Sequence, residues 1–270
     1  MRVRGTAVAG AFGAALAFAL ACGDVPTLPG GVAYITPIQL PSPSVAFGDT
    51  LRDSLGHAAP LRVIAISRDS TVITGLLVHY VLTSVNSGAS VDNAGFLRAP
   101  DSLATLRLVA QVTDGTASGT LQLQTPEVSI DVVPLADSMA RSGTLPDTAL
   151  SLPLLQALQV TVFGRGSSAR GPVGGIRVYY HVAAVYPGTV PAKGHVYLSD
   201  DQGGVLRADS TAIDTTSSSG IASRNLVGVV ATDGTTPDSV AVEASASSQK
   251  GQALTGSPVR FIVRFRKPAQ

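Results

Sequence analysis

The sequence predicts an all-β fold made of two β-sandwiches in tandem. Three observations lead there. Tryptophan is absent and charged residues make up only 14% of the chain, whereas Gly (28 residues), Pro (17) and the β-branched Val and Thr are plentiful. Such a mixture favours strands joined by tight turns over amphipathic helices rich in Glu, Lys and Leu. Short apolar runs alternate at period two and are punctuated by Asp-Gly, Gly-Gly and Ser-Ser-Gly turns, the spacing of sandwiches and barrels. The pattern beginning at Gly75 also returns at Gly175, as a duplicated domain would require.

The first element is a leader. Arg2 and Arg4 precede an apolar, small-residue stretch from Ala7 to Ala21, and Cys22 follows as the only cysteine of the 270 residues. A basic start, a short hydrophobic middle and small residues before a cysteine form the layout of a bacterial lipoprotein signal. Residues 1–21 are therefore expected to be a signal peptide. Cys22 would be the lipidated new amino terminus, and residues 22–31, rich in Gly, Pro and Thr, a tether. Ordinary cleavage after Ala19-Leu20-Ala21 is the alternative, and it would leave Cys22 as a free thiol. A retained transmembrane helix fits less well, because the run falls short of the ~20 residues a span needs and is mostly Ala and Gly.

Composition then bounds the rest. Nineteen basic against 18 acidic residues leave the chain nearly neutral, without the basic excess of a nucleic-acid binder, so no nucleic-acid partner is expected. With its single cysteine spent at position 22, the body of the chain has no disulfide to rely on, and its stability must come from apolar cores.

The first sandwich is read over residues 32–134. Its clearest strand places Leu76, Val78, Tyr80 and Leu82 on one side, with Leu77, His79 and Thr83 on the other. Successive strand residues face opposite ways, so the first set suits a core. Residues 135–149, polar and containing Gly143 and Pro146, are read as a linker. The second sandwich is read over residues 150–267. Ile176, Val178, Tyr180 and Val182 repeat the inward set of the first unit, and Phe261, Val263 and Phe265 do the same near the end of the chain. The stretch Gly75–Gly88 aligns without gaps on Gly175–Gly188, and Asp92–Ala99 aligns on Asp201–Ala208. Thr113-Asp-Gly-Thr116 and Thr232-Asp-Gly-Thr235 form a third echo, of two similar turns.

At these residues a family resemblance emerges. The strand Gln159-Val-Thr-Val-Phe163, the turn Gly171-Pro-Val-Gly-Gly175 and the strand Ile176-Arg-Val-Tyr-Tyr180 resemble the bacterial Ig-like domains of intimin- and invasin-type surface proteins. The turn Asp214–Ser223 and the strand Val240-Ala-Val-Glu-Ala244 are similar to that family's later motifs. In the first half, Phe47–Thr50, Val78–Leu82 and Asp92-Asn-Ala-Gly95 resemble a related bacterial Ig-like type. Tyr80 and Tyr180 stand where the family usually carries Trp or Phe. The resemblance implies two tandem Ig-like β-sandwich domains with a binding, spacing or adhesive role and no shared catalytic residues.

Patterns of catalysis and cofactor binding are missing. There is no G-x-S-x-G elbow, P-loop, H-E-x-x-H or dinucleotide fingerprint, so neither an enzyme nor a cofactor is expected. The loop Gly164–Gly171 mixes Gly, Ser and Arg, but no helix pattern follows to cradle a phosphate. His57, His79, His181 and His195 are too scattered to converge on zinc, so no metal is expected. Asp200, Asp201, Asp209 and Asp214 lie in oxygen-rich surroundings of the kind calcium favours, yet without a regular D-x-D-x-D loop they read as solvated turns. Arg260, Arg264, Arg266 and Lys267 form a basic strip, whose default role is to discourage edge-to-edge strand pairing.

The resulting expectation is a non-catalytic module of the bacterial cell envelope, held on the outer membrane or cell surface by its amino-terminal lipid and serving adhesion, binding or spacing. Its other partner would be a protein or glycan of the envelope or of a neighbouring cell. Exposed aromatics and Arg usually anchor such contacts, which points to Tyr186, Tyr197 and Arg207 as candidate binding-loop residues. A polysaccharide-binding accessory protein is the alternative.

Overall fold

The computed structural model describes residues 32–84, 88–113, 123–145, 149–151, 154–166, 170–186, 196–199, 210–229 and 237–266. All regular structure in them is β, and it gathers around two separate apolar cores.

The first unit runs through β1 (Val32–Ile35), β2 (Ser44–Ala46), β3 (Ala65–Ser67), β4 (Val72–Ile73) and β5 (Leu77–Leu82). It continues through β6 (Ser90–Val91), β7 (Leu97–Arg98), β8 (Ala104–Thr113), β9 (Leu123–Gln124) and β10 (Val128–Val133). One layer has the order β2-β10-β8-β5, with β2 parallel to β10, the other neighbours antiparallel, and β9 added beside β8. The facing layer is looser. There Leu51 N donates to Leu97 O at 2.8 Å and Ala99 N to Asp49 O at 2.9 Å, while β1, β3 and β4 pair alongside. Between the layers lie Leu51, Tyr80, Leu97, Leu106, Leu108 and Ile130. Burying each such side chain fully contributes roughly 1.5–3 kcal/mol.

The second unit comprises β11 (Leu135–Ser142), β12 (Leu154–Arg165), β13 (Arg170–Pro172), β14 (Arg177–Tyr186) and β15 (Val196–Ser199). After these come β16 (Thr211–Thr215), β17 (Ile221–Gly228), β18 (Ser239–Ala246) and β19 (Val259–Arg264). One sheet is ordered β11-β12-β17-β15 and the other β16-β14-β18-β19. The neighbours β12-β17 and β14-β18-β19 are the B-E and C-F-G pairings of an immunoglobulin-type sandwich, but β15, the earlier of the two strands between C and E, lies beside β17 and the later β16 beside β14, the reverse of the usual C′ and D placement. The first edge also crosses between layers. β11 lies on β12, and then Leu150 runs parallel to the end of β19, with Leu150 N donating to Arg264 O (2.8 Å) and Arg266 N to Leu150 O (2.7 Å). Leu158, Val160, Val162, Val178, Tyr180 and Phe261 fill the interior.

The alternation read from sequence holds on the central strands. Tyr80 is buried while Leu77 and His79 are exposed; Val178, Tyr180 and Val182 are buried while Tyr179 faces out; Phe261, Val263 and Phe265 are buried between exposed Arg260, Ile262 and Arg264. The repeat is visible in space too. Gly75 and Gly175 each enter their strand through a left-handed backbone, at φ +81° and +73°. Five residues later Tyr80 and Tyr180 each bury a ring and donate the phenol, to Leu61 O at 2.8 Å and to Ala222 O at 3.0 Å. A phenol in a core needs such a partner, and both rings have one.

One expectation is corrected. Residues 135–142 of the expected linker form strand β11, paired to β12 from Leu135↔Arg165 to Ser142↔Gln159. A bulge between Ala136 and Ser138 places Ser138 and Met139 both inside, which breaks period two and disguises the strand as polar coil. Asp201–Ala208 lies outside the described residues, and the described counterpart of Asp92–Gly95 is Ser217–Gly220. Gly95 N donates to Asp92 O (3.0 Å) and Gly95 O accepts from Leu61 N (2.9 Å); Gly220 N donates to Ser217 O (2.8 Å) and Gly220 O accepts from Val162 N (2.9 Å). Asp92 Oδ1 also receives the amides of Ala94 and Phe96, at 3.0 and 2.8 Å. The Thr113–Thr116 and Thr232–Thr235 echo falls beyond the described residues but for Thr113, which ends β8.

Pro134 alone separates β10 from β11. Its ring fixes φ and stiffens the crossing. The carboxamide of Gln249 grips both sides of it, with Nε2 donating to Pro134 O (3.0 Å) and Oε1 accepting from Ala136 N (2.9 Å). Further out, the backbones of the two units meet at Gly56 and Gly251. A Cβ on Gly56 would stand 2.3 Å from Lys250 O, and one on Gly251 would stand 2.4 Å from Leu55 O. Ser44 Oγ donates to Gly175 O at 3.0 Å, and Lys250 Nζ lies 3.8 Å from Asp49 Oδ2.

Candidate functional site

The described candidates do not form one loop. Tyr186 is the last residue of β14 and 68% exposed, with its carbonyl held by Asp238 N at 2.6 Å. Tyr197 lies inside β15, opposite Val227 on β17. Val196 and Leu198 on either side of it are buried, so its half-buried ring faces outward from the other sheet. The two tyrosines thus occupy opposite outer faces of the second sandwich, and both sit on strands, where loop positions were expected. Cys22, Arg207, His195, Asp200, Asp201, Asp209 and Lys267 lie outside the described residues.

Register gathers a different set around Tyr186. On the outer face of β16-β14-β18-β19, neighbouring strands align Tyr186 with Ser239 and Arg264, and then Ala184 with Ala241 and Ile262. The next rows are Thr211, His181, Glu243 and Arg260, and after them Ile213, Tyr179 and Ser245. Tyr179, Ile213 and Ile262 are 41%, 54% and 57% exposed. Glu243 is the one acidic side chain in these rows. It lies 3.6 Å from His181 Nε2 and 3.9 Å from Arg260 Nε. The sequence reading gave the inward set Ile176, Val178, Tyr180 and Val182 of this strand, which leaves Tyr179 and His181 on its other side, and noted the arginine strip. It did not single out Ile213, and only strand pairing reveals that the four strands present one surface.

The remaining polar candidates have local duties. Asp214 Oδ2 accepts from Ser223 N at 2.7 Å and its other oxygen lies 3.5 Å from Arg224, which also donates to Ile213 O. The pair ties β16 to β17 across the two sheets. His57 lies exposed beside Asp53 (3.9 Å), and His79 faces solvent on β5. Among the described residues no three His, Cys, Asp or Glu side chains come together as a metal site.

A groove of about 900 Å³ follows the junction between Phe47, Leu103 and Val132 of the first unit and Pro172 and Ser218 of the second. Its two carboxylates are Asp101 and Asp131, the latter accepting from Thr105 Oγ1 at 2.8 Å. No His, Cys, Lys or Arg stands among the described residues lining it.

Near the junction, burial pushes the Asp49 carboxyl up. The hydrogen bond from Arg52, the Thr50 amide and the charges of Arg52 and Lys250 outweigh this and leave it below the usual carboxylate range. Burial alone raises the Tyr80 phenol.

No family model matches the chain. No curated protein matches it either. Among solved structures, the chain is similar to the D00-D0 domain of intimin at 13% identity and a TM-score of 0.28, covering 86% of this chain and 100% of that one. Domains 4 and 5 of the S-layer protein SbsC match at 11% identity and 0.27, covering 87% and 98%. The fibronectin(III)-like modules of Clostridium thermocellum CbhA match at 12% and 0.26, covering 86% and 94%. The sandwich assignment stands on the strand order and register given above.

Proposed function

We propose that this chain is a non-catalytic module of the bacterial cell envelope, carried on the membrane by lipid at Cys22, whose paired sandwiches hold the second unit out for binding or adhesion. The observation that supports this reading best is the junction. One proline, clamped by Gln249 and braced where Gly56 meets Gly251, couples the units more stiffly than a free linker would. Such a coupling suits a spacer, which must transmit position, and serves no evident purpose in two independently tumbling domains. The leader ending at Cys22 supports the address.

The test is mass spectrometry of the mature amino terminus from cells expressing the full chain, together with membrane fractionation. The expected result is a diacylglyceryl-modified, acylated Cys22 and a membrane-bound protein that Cys22→Ala releases. A free thiol at Cys22, or an uncleaved leader, would remove the anchor from this reading.

A further inference from the structure

We propose that the outer face of the β16-β14-β18-β19 sheet binds an acidic polysaccharide, with its sugar rings laid on Tyr179 and Tyr186 and its carboxylates met by Arg260 and Arg264. This rests on the reading of the chain as a binding module and is independent of the lipid.

Charge complementarity selects the ligand. Within the aligned rows the arginines face a single acidic residue, Glu243, which already lies between His181 and Arg260. Arg264 is exposed and aligned across Ser239 from Tyr186, with no ion-pair partner among the described residues. A guanidinium offers a planar fork of donors that matches a carboxylate, and it is weakly hydrated enough to give up its water on contact.

Shape selects a chain-like ligand over a compact one. Tyr179 and Tyr186 lie on one strand about 20 Å apart at the strand rise, with the arginine side chains beside the path between them. Each ring presents an apolar face with a polar tip, suited to the mixed surface of a sugar. The face is pleated and shallow, so contact must come from an extended polymer lying across the rows. Salt-sensitive binding follows, because the charges are exposed and screened over about 8–10 Å at ordinary ionic strength.

The test uses the full chain purified in an uncharged detergent and titrated with polygalacturonate oligosaccharides, with dextran as the neutral glycan and polyphosphate as the non-sugar anion. Polygalacturonate should bind best and weaken as salt rises. Arg260→Glu with Arg264→Glu should weaken it about tenfold or more, reversal being costlier than loss of charge. Tyr179→Ala should weaken it several-fold, and Arg68→Glu, in the exposed turn after β3, should leave it unchanged. Arg264→Gln serves if the double reversal fails to fold, as judged by its circular-dichroism melt, and must still lower affinity. Dextran binding as tightly as polygalacturonate, polyphosphate binding as tightly, or insensitivity to the arginine and tyrosine changes would each overturn the proposal. So would sedimentation showing a dimer that Ile262→Asp dissolves, since the face would then be an interface between copies. Loss of the lipid with binding intact would count against the anchor alone, and loss of binding with the lipid intact would count against this face alone.

Discussion

Gln249 and Pro134 are joined by a 3.0 Å hydrogen bond from the glutamine amide to the proline carbonyl, across 115 positions of sequence. The same side chain accepts the Ala136 amide, so one residue in the turn after β18 holds both sides of the only break between two long strands. Its placement follows from the Ser248–Gln252 turn, where Ser248 N donates to Gln252 O at 2.7 Å and fixes the loop that carries it.

Replacing Gln249 with Ala removes a donor and an acceptor at once. The expected loss is about 1–2 kcal/mol, since the groups left behind are only partly buried. Denaturant titration should register it. Small-angle scattering should show a broader range of angles between the units, and an unchanged profile would argue that the other junction contacts suffice.

Gly56→Ala and Gly251→Ala test the close approach directly. Both glycines have left-handed backbones, at φ +83° and +74°, so an added Cβ is strained whatever the surroundings, by about 1 kcal/mol. Here it also meets the opposing carbonyl, and the units must move apart. Gly75→Ala, at φ +81° but with open space around it, isolates the backbone share. The first two should alter the scattering profile and the third should only lower the melting temperature.

Tyr80→Phe and Tyr180→Phe each remove one buried phenol hydrogen bond and keep the ring. A loss of about 1–1.5 kcal/mol is expected for each, because a hydrogen bond within a core is lost. Similar losses in the two variants would support their equivalence. Tyr180→Ala, by contrast, opens a cavity and should cost roughly 3–5 kcal/mol.

Acid should loosen the junction through Asp49. Its carboxyl titrates lower in the folded protein than in the unfolded chain, so the unfolded state binds a proton first as pH falls. The stabilisation is complete above the ordinary carboxylate value of about 4 and disappears as pH drops through the lower folded value. Asp49→Asn should flatten that acid limb of the stability curve and leave neutral-pH stability lower by no more than about 1 kcal/mol, since Arg52 and Lys250 are partly solvated. A limb unchanged by the substitution would assign the effect to other carboxylates.

Legibility in the sequence tracked the regularity of the strand. On β5, β14 and β19 one face meets a core and the other meets water, so period two could be read directly from Tyr80, Tyr180 and Phe261. On β11 the bulge at Ala136–Ser138 shifted the period by one, and Pro146 and Gly143 beyond it suggested coil. The candidate site was legible only in pieces. Tyr186 and the arginine strip could be chosen as exposed anchors, but Tyr197 was grouped with Tyr186 as a loop aromatic, and the two belong to strands of different sheets.

By itself the sequence determined the all-β class, the duplicated plan and the identity of the buried residues on the regular strands. These follow from side-chain alternation, a property each strand carries locally. The tertiary structure alone decided that Ser217–Gly220 repeats the Asp92–Gly95 turn, that Gln249 spans Pro134, and that Tyr179, Tyr186, Arg260 and Arg264 share one face. Those relationships depend on which strands pair and in what register. Register is set by how two apolar faces pack together, and no single strand contains that information.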